Sequence, residues 1–200
     1  MAKKTTYTIP KGRHKSRPLS LDSIRPRLKV ESRVFEAQFD RSCIYTFKKP
    51  DGELHPNQGD FCKTRGNSFC YADNHKNSNM GGWRWNPDTE KMELTSYYHI
   101  GGERFIGPKM APARQRPLSE TVAIEIMASV SIEERFKYRL LTDWEKMEFG
   151  IGFKRNLHSS AWNDDLQPIP DANVISRDIM WWFGGDFPAP HKMTIQEWKI

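Results

Sequence analysis

From about residue 28 onward, apolar and polar side chains alternate with a period of two, which predicts half-buried β-strands. Phe35, Ala37 and Phe39 alternate with Glu36 and Gln38 and predict one strand. Residues 43–47 (CIYTF) predict another, ended by the turn signal KKPDG. Residues 82–85 (GWRW) read as a short strand, 86–90 as a turn and 92–98 as the return strand. Gly101 and Gly102 suit a tight primed turn, because both positions tolerate positive φ. Phe105 and Ile106 then begin a third strand of the meander. Val122, Ile124, Ile126 and Ala128 alternate as a further strand. The chain closes on an apolar run (179–183), a structured turn (184–191) and a terminal strand with Met193, Ile195 and Trp198.

Other stretches carry weaker patterns. Residues 48–80 are polar and rich in Asn, Gly, Asp and Ser, which predicts long loops with short strands. Residues 107–118 are rich in proline and cations and read as a loop that contacts a neighbouring subunit. Residues 156–178 also look loop-like. Over 131–149 two periods compete. Ser131 and Glu134 form a capping-box pattern, and Ile132, Phe136, Leu140, Trp144 and Met147 have helical spacing. Phe136, Tyr138 and Leu140 equally alternate as a strand.

A length of 200 residues without internal repeats suits one domain, and many short strands between turn signals suit an all-β antiparallel sandwich. Aromatic residues at 12% predict a ring-rich core. Three cysteines (43, 62 and 70) without a C-x-x-C pair argue against a disulfide framework and a cysteine zinc site. A Cys62–Cys70 bond is the alternative to free thiols in a reducing compartment. No signal-peptide pattern or membrane-length apolar run is present, so a virion or cytoplasmic location is expected.

Charge changes the picture more than composition does. The net charge is +6, yet residues 1–29 hold nine Lys or Arg against one acid, Asp22. The remaining residues therefore sum to −2. This divides the chain into a basic N-terminal strand and arm (1–29) and a sandwich domain (30–200). Arg13, Lys15, Arg17, Arg25 and Arg27 of the arm, with Arg114 and Arg116 of the 107–118 loop, are candidate partner contacts. A solvated, solubilising tail is the competing reading. Nucleic acid is disfavoured, because basic and aromatic residues are not interleaved as in RNA-binding segments.

The end of the chain carries the most distinctive motif. Trp182-Phe183-Gly184-Gly185, then Ala189-Pro190-His191, then Thr194-Ile195, resembles the closing motif of a group of small, largely uncharacterised β-sandwich proteins of bacteria and tailed phages. Residues 7–11, 42–45 and 97–104, and Asn77-Ser78 followed by 82–85, look like the same group. The chain departs from it at Lys192, where the group tends to have Asp, and in the basic stretch 11–29 and the loop 107–118. The resemblance implies a concanavalin-like jelly roll, a fold that often binds glycans. It also implies a strand pair over 131–149 and a virion-associated role.

Catalytic patterns are missing. A retaining glycosidase needs two carboxyl groups about 5 Å apart, which on one strand would read E-x-D-x-E. Glu90 and Glu93 are wrongly spaced, and Glu133 and Glu134 are adjacent. Glu31-Ser32-Arg33 resembles part of a lyase-type strand without its companion Tyr and His motifs. No G-x-S-x-G or phosphate loop occurs. His55, His75, His158 and His191 show no ligand spacing, and nothing arranges Asp164, Asp165 or Asp186 around calcium, so no metal or cofactor is expected.

Aromatic surfaces remain. Trp83, Arg84, Trp85 and Tyr97, with Asp186 and His191, are candidate glycan contacts: rings stack on sugar C–H groups and polar groups read hydroxyls. Both tryptophans could instead be core residues, and His191 a turn residue bonded to a backbone carbonyl. The expectation is a non-enzymatic structural or binding protein, a virion accessory that meets other assembly proteins, copies of itself or glycans. The alternatives are a free lectin-like module and a polysaccharide lyase or glycosidase.

Overall fold

Burial of alternate side chains produces thirteen strands in the computed structural model, which describes residues 3–19, 23–71, 73–108, 124–154 and 160–200. They are β1 (Lys3–Ile9), β2 (Arg27–Leu28), β3 (Arg33–Phe39), β4 (Cys62–Ser68), β5 (Ser78–Asn86), β6 (Lys91–Ile100) and β7 (Glu103–Ile106). There follow β8 (Ala128–Val130), β9 (Arg135–Asp143), β10 (Glu148–Lys154), β11 (Trp162–Pro168), β12 (Ile175–Ile179) and β13 (Met193–Lys199). One antiparallel sheet has six strands in the order β1-β13-β3-β9-β10-β11. The other has seven, β2-β12-β4-β5-β6-β7, with β8 also paired to β6.

The two sheets face each other across an aromatic core. The six-stranded sheet contributes Tyr7, Ile9, Phe35, Ala37, Phe39, Phe136, Tyr138 and Leu140. The seven-stranded sheet contributes Cys62, Trp83, Trp85, Met92 and Leu94. Phe39 of β3 meets Trp83 of β5 at 5.2 Å between ring centroids, and stacks on Phe136 at 5.3 Å.

An ionic network also crosses this interior. Asp178 of β12 pairs with Arg33 of β3 at 2.9 Å, with Arg65 of β4 at 3.2 Å and with Arg27 of β2 at 3.1 Å. Arg65 pairs with Glu197 of β13 at 3.2 Å and donates to the Tyr7 hydroxyl at 2.6 Å. Glu197 accepts from Tyr138 at 2.6 Å and from the Trp181 indole at 2.8 Å. Two buried arginines and two buried carboxylates thus pair where water is excluded, although Arg33 Nε has no hydrogen-bond partner among the described residues.

The meander of β5, β6 and β7 forms as its pattern predicts, and Gly101 and Gly102 turn the chain with φ of 60° and 87°. Residues 131–149 form β9 and β10, not a helix. Glu134 still reaches back to the Ser131 amide at 2.8 Å, the capping-box contact made around a turn in which Glu133 takes a φ of 63°.

Four expectations need correction. Residues 43–47 are not a strand. Asp40 accepts from the Ser42 amide and caps a 3-10 turn at Arg41–Cys43, after which Cys43 and Tyr45 bury their side chains without joining a ladder. Within 48–80, β4 is a full strand whose polar residues Thr64, Arg65, Asn67 and Ser68 are buried and hydrogen-bonded. The strand expected over 122–128 begins only at Ala128, and its first two residues lie outside the described residues. The stretch 156–178 contains β11 and β12; β11 is an edge strand whose polar run is held by partners, with Asn163 donating to the Met127 carbonyl, Asp164 paired with Arg139 and buried Asp165 accepting from Gln167.

The arm does not project freely. It bridges back to β1 at Thr8–Arg17 and runs along residues 181–189, with Ser16 bonded to the Trp181 carbonyl, Phe183 to that of His14 and Ala189 to that of Arg13. The first 29 residues supply an edge strand to each sheet. Among the described residues, no helix is long and apolar enough to cross a membrane.

Candidate functional site

The outward face of the seven-stranded sheet gathers several titratable side chains with shifted proton affinities. Because side chains alternate, Trp83 and Trp85 point into the sandwich while Met80, Gly82 and Arg84 point outward. On β6, the outward set is Glu93, Thr95, Tyr97 and His99. Lys63 of β4 and Arg104 and Ile106 of β7 join the same face.

Over these strands lies a cavity of about 630 Å³. Lys63, Tyr97, His99 and Arg104 rise from the sheet. Asp60 and Phe61 come from the 3-10 turn at Pro56–Gly59 and the segment after it. Trp182 and Asp186 come from the closing segment. The Gly-Gly pair lets these two walls meet. A β-carbon at Gly184 would collide with the Phe61 carbonyl oxygen, and Gly185 has a φ of 78° against the Asp60 carboxylate. The indole of Trp182 is braced from the arm, with His14 stacked on it at 5.5 Å and the Lys15 ammonium 5.6 Å from its centroid.

The cavity holds displaced proton affinities. Burial, then Arg104, lowers the Lys63 ammonium to about 8. Burial, then the positive charges of Lys63, His75 and Arg104, lowers His99 to about 3. Burial raises the Asp60 carboxyl, Arg104 pulls it back, and Asp186 adds to the rise. His99 shares a hydrogen bond with the Ser78 hydroxyl at 3.0 Å and another with His75 at 3.3 Å, so the neutral ring keeps two partners.

A pH dependence follows. In the unfolded chain, His99 takes up a proton near pH 6.5, whereas in the fold it stays neutral down to about pH 3. The unfolded state therefore binds more protons between these values, and stability falls as pH drops through that window. Asp60 works in the opposite sense, since its raised affinity lets the folded state bind the extra proton. Urea midpoints measured from pH 7 to pH 4 should fall less in His99→Gln than in the parent. Parallel curves would remove this assignment.

Of the predicted glycan contacts, Tyr97 and Asp186 line the cavity, although Tyr97 is buried. Trp83 and Trp85 do not line it: both are core residues, 0% and 6% exposed. Arg84 is tied to Glu93 at 2.8 Å and the Gly59 carbonyl at 2.9 Å, and lies over the Phe61 ring. His191 donates to the Ser42 carbonyl at 2.7 Å and pins the 3-10 turn, away from the cavity. Among partner candidates, Arg13, Lys15, Arg17 and Arg25 are exposed, while Arg27 is engaged by Asp178. Arg114, Arg116 and His158 lie outside the described residues.

Sequence reasoning missed Lys63, His99, Arg104, Asp60 and Trp182 as members of one site. Trp182 stood in an apolar run that reads as core. Asp60 and Asp186 reach the same cavity from distant loops, which a search for acids two apart on a strand does not test. All three cysteines are free thiols, and burial raises Cys62 to about 12. Among the described residues, no three His, Cys, Asp or Glu side chains gather in a way that could hold a metal ion. No family model, curated protein or solved structure matches this chain.

Proposed function

We propose that this chain is a non-enzymatic binding protein, a jelly-roll module of concanavalin-like type that holds a segment of glycan in the cavity over its seven-stranded sheet. The observation that carries this reading is the composition of the cavity. A partly exposed Trp182, held in place by His14, stands beside Asn57, Asp60, Arg104 and Asp186. The ring offers an apolar platform, and the polar groups offer both donors and acceptors for sugar hydroxyls. Because the platform is braced before ligand arrives, little ordering cost falls on binding.

A glycan array tests the reading. Trp182→Ala should weaken every hit at least tenfold, about 1.4 kcal/mol. An array with no hits removes the proposal.

One observation favours a second reading, cleavage of a polysaccharide. Asp60 and Asp186 line one cavity, and burial holds Asp60 above the ordinary carboxylate range. Glycosidic hydrolysis uses two carboxyl groups in one cleft, one of them with its proton affinity raised by its surroundings. Release of reducing ends from an array hit, abolished in Asp60→Asn, would replace binding by catalysis.

We place the module on a phage particle as an accessory protein. The support is the resemblance of its closing motif and the exposed cations Arg13, Lys15, Arg17 and Arg25 on a docked arm. Its absence from purified particles would remove that placement.

A further inference from the structure

We propose that the cavity is selective for acidic glycans, with Lys63 and Arg104 forming a subsite for a carboxylate or sulfate group of the sugar. This rests on the glycan reading and names the class of ligand.

Lys63 is the starting point. Its ammonium is partly buried, 5.0 Å from the Tyr97 ring and 6.0 Å from the Trp182 ring. Among the described residues, no carboxylate stands within ion-pair distance of it and no acceptor is hydrogen-bonded to it. Elsewhere, this protein matches its buried cations carefully: Arg33 and Arg65 each have a carboxylate partner. An unmatched cation in a cavity is costly in the empty protein, and an incoming anion relieves that cost.

The surroundings point the same way. Arg104 of β7, across β5 and β6 from β4, adds a second positive charge to the same cavity and lowers the proton affinity of Lys63. His99, neutral in this surrounding, supplies no negative charge to either cation. The acids Asp60 and Asp186 stand on the loop walls rather than on the sheet. Charge is therefore divided, with cations on the sheet and carboxylates on the loops. An acidic sugar fits this division, its anion on the sheet and its hydroxyls at the loops.

The groups facing Lys63 are Arg104 on β7, Tyr97 and His99 on β6, His75 before β5, Asp60 and Asp186 on the loops, and Lys15 across Trp182. Binding needs Lys63 protonated, so affinity for an acidic glycan should fall as pH rises above about 8. Lys63→Met should lack that fall.

The experiment is an array in which each acidic glycan is paired with its carboxyl-reduced or desulfated form. It is probed with the full chain, with Lys63→Met and with Lys91→Met, which removes an equal charge at an exposed position on β6. Acidic members should bind at least tenfold better than their neutral pairs. Lys63→Met should lose this preference, Lys91→Met should keep it, and Lys63→Met should unfold at a higher urea concentration than the parent. Equal binding of acidic and neutral pairs, or equal losses in the two variants, overturns the inference while leaving the glycan reading in place. A lower midpoint for Lys63→Met makes the lysine structural and overturns it as well. An array empty of all binding overturns both.

Discussion

Replacing Asp178 by Ala is expected to cost about 3–5 kcal/mol of folding stability, read as a shift of the urea midpoint. The carboxylate is fully buried and meets three guanidinium groups, those of Arg27, Arg33 and Arg65. Its removal leaves Arg33 without a carboxylate partner inside the sandwich, and Arg65 with only Glu197. The loss comes from charges that remain buried after their partner has gone, not from the net strength of one pair. Asp178→Asn separates the two contributions. The amide keeps the volume and one acceptor but supplies no charge, so it should fall between the parent and Asp178→Ala. If both variants unfold with the parent, the network does not hold the two sheets together.

Trp83→Ala is expected to have an effect of similar size, about 3–5 kcal/mol. Trp83 is fully buried between the sheets, with Phe39 at 5.2 Å, Phe183 at 6.1 Å and its indole nitrogen donating to the Lys63 carbonyl at 3.1 Å. Truncation opens a cavity among rings from β3 and the closing segment and strands one acceptor. In a domain of this length such a loss lowers Tm by roughly 6–20 °C. The result bears on the proposed glycan site as well. The protein that remains folded should bind sugars as the parent does, because Trp83 faces away from the cavity. A stable Trp83→Ala protein that had lost binding would return this residue to the surface and displace Trp182 from its role.

How far the primary structure could be read differs between fold and site. The alternation at Phe35, Ala37 and Phe39 marks β3, since one face of that strand is apolar throughout. The meander from Gly82 to Ile106 was equally plain, because Asn-Pro-Asp and Gly-Gly specify their turns locally, although the start of β5 at Ser78 fell in a stretch that reads as loop. β4 was concealed by its own composition. Cys-Lys-Thr-Arg-Gly-Asn-Ser looks like a loop until Asp178, Glu197 and the Tyr7 hydroxyl, all distant in sequence, are present to satisfy it. The 43–47 segment failed in the opposite way: its alternation records burial, which needs no partner strand.

The site was less readable. Trp83 and Trp85 are indistinguishable from a sugar platform by sequence, since alternation says they share a face but not which face. Trp182 is hidden in an apolar run, yet the extended segment after β12, bridged to Lys15 and Lys63, leaves its indole partly exposed between Trp181 and Phe183, both buried.

The amino-acid sequence alone determined the all-β class, the meander, the primed Gly-Gly turn and the concentration of positive charge in the first 29 residues. All of these depend on neighbours in the chain: side-chain period, turn chemistry and charge counting are local quantities. The tertiary structure alone decided which face of β5 is buried, that the basic arm docks, and that Lys63, Arg104, Asp60, Asp186 and Trp182 share a cavity. Those outcomes depend on which strands become neighbours, and pairing between β4, β7 and the closing segment is set by packing across the whole sandwich.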